Sequence, residues 1–250
     1  MQKMPRPAKS TVIAATGFML WELAWLIAGV DSFPHSWEVV QDFIPLVFTL
    51  FFWKSVGITL FISFWGFVLG TLLALLLGIS IALWTSGEKA TRGTINFFRA
   101  IPSVVFLPLL IASIGASLKT SVILTTLVVT LMSITYVIRG VQGVDPLLKE
   151  SASYIRLNGL DRILILYLPS MFSTLGSGMR LSSARALGTV IAAGIIVGGP
   201  GLGSAMGAAA SAANNPRVFS YAITLGIIGV LNYSGFTYLE NKLFRWRTTV

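Results

Sequence analysis

Six long apolar stretches, set apart by short basic segments, organise the chain: about Thr11–Val30, Val56–Trp84, Asn96–Gly115, Thr120–Ile138, Ser173–Val197 and Phe219–Leu239. Each is close to the ~20 residues that a helix needs to cross the hydrocarbon of a bilayer. Helices are predicted because hydrocarbon offers the backbone N–H and C=O groups no partner outside their own segment. The third stretch contains Pro102 and Pro108, and polar residues blur its ends and those of the fifth. Two segments do not read as spans. Positions 31–54 mix Phe33, Trp37, Phe43 and Trp53 with polar residues, which predicts an amphipathic element at the external interface. Positions 140–172 are too polar to cross and carry helical periodicity on both sides of Gly159. The predicted fold is an all-α membrane protein of about six transmembrane helices, with residues 1–250 forming one transmembrane domain.

Composition narrows the class. The 250 residues are 55% hydrophobic and 11% charged, with a mean hydropathy of +0.82; a soluble domain carries roughly 25% charged residues. The distribution of charge gives an orientation. With the N-terminus inside, thirteen cations from Lys3 to Arg247 fall on the cytoplasmic side and only Lys54, Lys119 and Arg217 fall outside. Arg180 and Arg185 are assigned to the first turns of the fifth helix. That asymmetry predicts both termini in the cytoplasm. It also reads the net charge of +9 as topology signal and lipid-headgroup contact, not as nucleic-acid binding. The first stretch lacks a small-residue cleavage site and is read as a retained helix. No cysteine is present, and the single histidine, His35, is read as an external surface residue. Glu22 is the sole carboxylate within a predicted span, facing a neighbouring helix or a polar partner. No phosphate-binding Gly-x-x-x-x-Gly-Lys-Ser/Thr run occurs, so ATP hydrolysis by this chain is not expected. The glycine run Gly198–Gly203 reads as a turn at the external end of the fifth helix, and Gly203 with Gly207 as a spacing for close packing.

The longest cytoplasmic segment has an internal order. Asp145 and Pro146 are an N-cap and first-turn pair that start a helix through Leu147, Lys149 and Ala152. Small residues at 151–153 permit close approach of a partner surface. Asn158-Gly159 turns the chain, and a second amphipathic helix runs from Asp161 to Leu168, where Pro169 is expected to stop it. Two short helices projecting from the membrane suit docking into a groove. An ordinary connecting loop is the other reading of the same residues.

The spacing of Glu150-Ser-Ala, Leu168-Pro169 and Gly178-Met-Arg180 resembles the EAA loop of binding-protein-dependent ABC importer permeases. The runs Phe98-Arg-Ala-Ile-Pro-Ser103, Leu107-Pro108-Leu109, Val144-Asp145-Pro146-Leu147-Leu148 and Gly201-Leu-Gly203 resemble the sulfonate, taurine and nitrate branch, and the likeness extends over roughly residues 55–245. The resemblance implies a type I importer permease fold in the plasma membrane of a prokaryote. It implies a homodimer with two cytoplasmic ATPase subunits, which bind the ATP and magnesium, and an extracytoplasmic substrate-binding protein. It places Glu150, Ser151, Ala152, Arg156, Gly159, Leu168 and Pro169 in the element that couples to the ATPase. The cargo implied is a small anion such as a sulfonate, taurine or nitrate; vitamin precursors, aromatic acids and a stand-alone secondary carrier are the alternatives. Three positions depart from the family pattern. Arg156 stands where glycine is usual, so the turn is expected to shift to Gly159. Ser173 replaces a proline, and Ala193-Gly194 replaces an Ala-Glu pair.

For the translocation path, hydroxyls line a wet passage without the cost of a buried charge. The candidates are Ser133, Thr135 and Tyr136 in the fourth stretch and Ser182, Ser183 and Thr189 in the fifth, against the ordinary role of such residues in bonding back to helix carbonyls. Arg180 and Arg185 are read either as attracting an anion at the cytoplasmic mouth or as touching headgroups.

Overall fold

The computed structural model describes residues 6–28, 33–84 and 86–243, and every regular element among them is helical. Lys3, Arg245 and Arg247 of the charge pattern, the end of the first predicted span at Gly29 and Val30, and Asp31 lie outside the described residues. Four helices contain stretches long and apolar enough to cross a membrane: α3 (Leu50–Leu83), α6 (Leu118–Gln142), α9 (Leu168–Val197, apolar from Thr174) and α11 (Asn215–Leu243, apolar to Lys242). The first predicted span is α1 (Arg6–Ala28), whose apolar part is Thr16–Ile27.

Helices α3 and α6 set the frame. Gly66 faces Thr125, Gly70 faces Val129 and Gly78 faces Val137. The offset within each pair is the same, so the two helices run parallel and in register. A Cβ added at Gly70 would lie 2.6 Å from Val129 Cβ, and one at Gly78 2.7 Å from a Val137 methyl. In lipid, such close backbone approach supplies the dispersion contact that hydrophobic burial supplies in water. Helix α9 packs antiparallel on α6, with Gly140 against Met171 and Gly178 against the Tyr136 ring.

Parallel α3 and α6 require the chain to return across the membrane between them. The return is made by α4 (Gly87–Ala100), a 3₁₀ turn (Ser103–Val105) and α5 (Phe106–Ile114), bent by 82°. The third predicted span is therefore a crossing, but not the straight helix expected over 96–115. The Pro102 ring pushes Ile101 out of the helical region to φ −71°, ψ 124°, and the helix ends at Ala100. Pro108 breaks nothing, because it sits in the first turn of α5. Helix α5 packs through Leu107 against Leu124 and Ala193.

The amphipathic segment predicted over 31–54 is shorter than expected. Helix α2 (Ser36–Val47) is capped by His35 and Glu38 in a reciprocal box, and α3 starts at Leu50, where the Thr49 hydroxyl caps Phe52 N–H at 3.2 Å. Residues 50–54 thus belong to the long span. His35 is more than a surface residue: its Nε2 lies 3.1 Å from Glu22, the carboxylate of α1. Trp21 Nε1 donates to Pro34 O at 3.2 Å, and the Trp21 and Phe33 rings meet Phe219. Arg217 clasps both Asp42 oxygens at 2.7 and 2.8 Å, fixing α2 to α11. The glycine run behaves as expected: Gly198 and Gly201 have φ of 67° and 132° and lead into α10 (Leu202–Ser211). Gly194, where the family pattern has glutamate, lies against Gly203; a Cβ there would sit 3.0 Å from Gly203 Cα.

Gly70→Leu forces a branched side chain into the α3–α6 contact, and overpacking of this kind costs about 1–3 kcal/mol. The expected outcome is a melting temperature in detergent several degrees below that of the native chain. An unchanged melting temperature contradicts the close contact.

Candidate functional site

The segment between α6 and α9 is built as predicted at its start. Asp145 Oδ1 accepts from Leu147 N–H at 2.8 Å, and α7 runs from Pro146 to Tyr154. Its end holds the main surprise. Leu157 N–H donates to Ala152 O at 3.1 Å, Arg156 N–H donates to Ser153 O at 3.1 Å, and Arg156 has φ +50°. This is a Schellman turn with Arg156 at the left-handed position. The turn has not shifted to Gly159 to compensate for the missing glycine; Arg156 adopts the glycine conformation instead. Gly159 has ordinary φ and open space where a Cβ would stand.

Pro169 does not stop the second helix. The turn Gly159–Asp161 (α8) passes into a π-helical stretch, Arg162–Tyr167, which runs straight into α9 with Pro169 in its first turn. A proline ring clashes with the carbonyl four residues back in an α-helix; the wider π turn relieves that clash and tolerates the missing N–H. The second half of the projection and the fifth span are one continuous helix.

Side chains fasten α7 to that helix. Arg162 Nη2 donates to Lys149 O and to Ser153 Oγ, both at 3.2 Å. Lys149 Nζ donates to Gln142 O at 3.2 Å, and Gln142 Nε2 to Glu88 at 2.6 Å, which ties the projection back to α6 and α4. Ala152 turns inward and packs with Leu166, Tyr167 and Met171, so the close approach its small size permits is to its own chain. Glu150 and Ser151 are exposed, with the Ser151 hydroxyl bonded to Leu147 O; Leu168 is half-buried and Pro169 exposed. On the outer surface, Tyr154 is 86% exposed, Leu160 71%, Ile155 69% and Leu147 68%. Arg162 and Leu157 escaped sequence reasoning. The signal for Leu157 was its place just after a left-handed turn; that for Arg162 was a cation within an otherwise apolar run.

The six path candidates divide. Ser133 and Ser182 are buried and bond to each other across α6 and α9 at 2.8 Å. Ser183 Oγ reaches Asn232 of α11 at 2.8 Å and lines a cavity of about 270 Å³ between α3, α9 and α11. Thr189 is buried and bonds back to Arg185 O at 2.8 Å. Tyr136 is half-buried against Gly178. Thr135 lines a cavity of about 170 Å³ together with Glu88, Arg92, Arg99 and Arg139. A larger cavity, of about 400 Å³, lies at the Pro102 bend and includes Arg99 and Arg185.

The two arginines of α9 also part company. Neither lies in the first turns, because the helix starts at Leu168. Arg180 is held by α11, 3.4 Å from Glu240 and over the Tyr233 ring. Arg185 faces the bend cavity.

Residues 66–245 match the profile of the family described as "Binding-protein-dependent transport system inner membrane component". The chain is 24% identical over 243 residues to the putative aliphatic sulfonates transport permease protein of Bacillus subtilis, spanning 96% of this chain and 88% of that one. It is 21% identical over 247 residues to a nitrate import permease protein of Synechocystis, spanning 95% and 89%. The fold is similar to a chain of the MetNI methionine ABC transporter solved in an inward-facing conformation, with a TM-score of 0.63 at 18% identity, covering 84% of this chain and 97% of that one.

A non-glycine residue at a left-handed position costs about 1 kcal/mol or more. Arg156→Gly is expected to raise the melting temperature in detergent by a few degrees, whereas Gly159→Ala leaves it unchanged or slightly higher. A drop for Arg156→Gly contradicts the strained turn.

Proposed function

Because the chain belongs to the family of binding-protein-dependent transport system inner membrane components, we propose that it carries a small oxyanion inward and is driven through Pro146–Leu168 by a separate ATPase. It is a permease subunit of an ABC importer in the inner membrane. In this reading two copies form the passage and each docks one cytoplasmic ATPase. ATP and magnesium bind to those partners, and a binding protein delivers the solute at the opposite face, where α2 and α10 lie. Both termini and the projection face the cytoplasm, in keeping with the thirteen-to-three distribution of cations.

The observation that carries the docking assignment is the pairing of rigidity with exposure on one small element. Arg162, the Schellman turn and the Ala152 contacts hold α7 fast. Yet Leu147, Tyr154, Ile155 and Leu160 keep two-thirds or more of their surface open to solvent. Aromatic and aliphatic anchors on a preorganised helix are what a groove on a partner recognises. Glu150, next to them, offers a charge at the edge of the same surface. The substrate class is supported by the sulfonate and nitrate relatives. It is supported independently by Arg99 and Arg185, which bring cationic donors to the cavity at the bend; among the described residues no carboxylate lines it.

Tyr154→Asp combined with Ile155→Asp is expected to cut retention of the ATPase on the purified permease by at least about tenfold, with the melting temperature of the permease unchanged. Retention equal to that of the native chain overturns the docking assignment. In liposomes holding permease, ATPase and binding protein, ethanesulfonate or nitrate is expected to enter only with ATP, and choline not to enter. Entry of choline alone overturns the oxyanion assignment.

A further inference from the structure

Arg185 is an expensive residue where it stands. It is the twelfth of the 24 residues of the apolar stretch Thr174–Val197. At 1.5 Å per residue it lies about 17 Å from either end, near the middle of the span. A cation at that depth is tolerated where it faces water, a partner or a ligand, and it marks a functional position unless such a partner explains it. Among the described residues no carboxylate pairs with Arg185, in contrast to Arg180 with Glu240.

What Arg185 faces is the cavity of about 400 Å³ at the Pro102 bend. Arg99 comes to the same cavity from α4, and among the described residues its side-chain hydrogen bond is Nη2 to Met132 Sδ at 3.8 Å, a weak acceptor. Met132 is the fifteenth of the 25 residues of α6, so this wall too lies near mid-span. Asn96 and Ser103 add an amide and a hydroxyl, and Leu131 contributes to the apolar wall. Among the described residues no Asp or Glu lines this cavity. Glu88 lies in the neighbouring smaller cavity with Arg92, Arg99 and Arg139, and is engaged by Gln142. Irregular backbone at membrane depth is tolerated where it lines a cavity, and Ile101 and Pro102 line this one. The volume lies within the roughly 300–1,000 Å³ of small-molecule sites.

We propose that this cavity is the membrane station of the cargo, where Arg99 and Arg185 together hold one small oxyanion, a sulfonate or nitrate, midway through the permease. The proposal rests on the oxyanion reading of the function and adds a site to it. A planar guanidinium presents paired N–H donors that match two oxygens of such a group. Met132 is too poor an acceptor to compete with an oxyanion for Arg99. A lipid phosphate shares this chemistry, and the test separates it from the cargo.

The permease, ATPase and binding protein are reconstituted in phosphatidylcholine liposomes, and initial uptake of radiolabelled ethanesulfonate and nitrate is measured against concentration. Binding of ethanesulfonate to the permease–ATPase complex without the binding protein is measured in parallel. For Arg99→Gln and Arg185→Gln, binding to the complex weakens by at least about tenfold, while Arg→Lys at either position, which keeps the charge but not the paired donors, recovers only part of it. Leu131→Phe narrows the cavity with both arginines in place and is expected to weaken binding as well, so the test survives a Gln variant that does not assemble. Native uptake of the anions with unaltered binding and uptake in all these variants overturns the proposal and leaves the oxyanion reading standing. No native uptake of either anion overturns both. A phosphatidylglycerol that co-purifies with the native complex, is lost from the double Gln variant and leaves uptake unaffected assigns the arginines to lipid and overturns the proposal.

Discussion

The parallel contact between α3 and α6 is the constraint on which the rest of the architecture depends. It rests on Gly66, Gly70 and Gly78, where the partner helix occupies the space a side chain would need. Once two consecutive long spans point the same way, the 34 positions from Trp84 to Ser117 must bring the chain back. That return is made in two parts, α4 and α5, set at 82° to each other across the break at Pro102. The break leaves an irregular stretch of backbone between them. The cavity with Arg99 and Arg185 exists because the return crossing is bent.

A second dependence runs through the inner cluster. Val137, Ile138 and Val141 at the end of α6 meet Ala152 of α7 and Leu166, Tyr167 and Met171 of the helix that follows. The same side chains therefore close the core and seat the projection. A change in how α6 meets α9 is felt at α7, because Ala152 has no slack between them. The polar chain from Glu88 through Gln142 and Lys149 to Arg162 adds α4 to the same unit.

Much of this was legible beforehand, and the exceptions share a cause. Apolar runs located α3, α6, α9 and α11 because lipid imposes one solution on the backbone. Asp145-Pro146 announced α7 because an N-cap is a local contract between neighbouring residues. Arg156 was misjudged because composition places glycine in left-handed turns, while here six residues of surrounding hydrogen bonds hold an arginine there. Pro169 was misjudged because its usual effect assumes an α-helix, and the chain widened into a π turn. Arg185 was placed near a helix start because that start was set five residues too late. The cavity was invisible for a different reason: Asn96, Arg99, Met132 and Arg185 lie on three helices, and no pattern along one helix reports a meeting between three.

The continuous helix from Gly159 to Val197 carries a mechanical implication. A stop at Pro169 would have put a loop between the projecting end and the membrane part. With the π stretch continuing it, the segment is one unbroken helical run on the order of 55 Å long that carries both the second half of the projection and Arg185. Whatever displaces the projection therefore acts on the same helix that carries Arg185, with no loop in between.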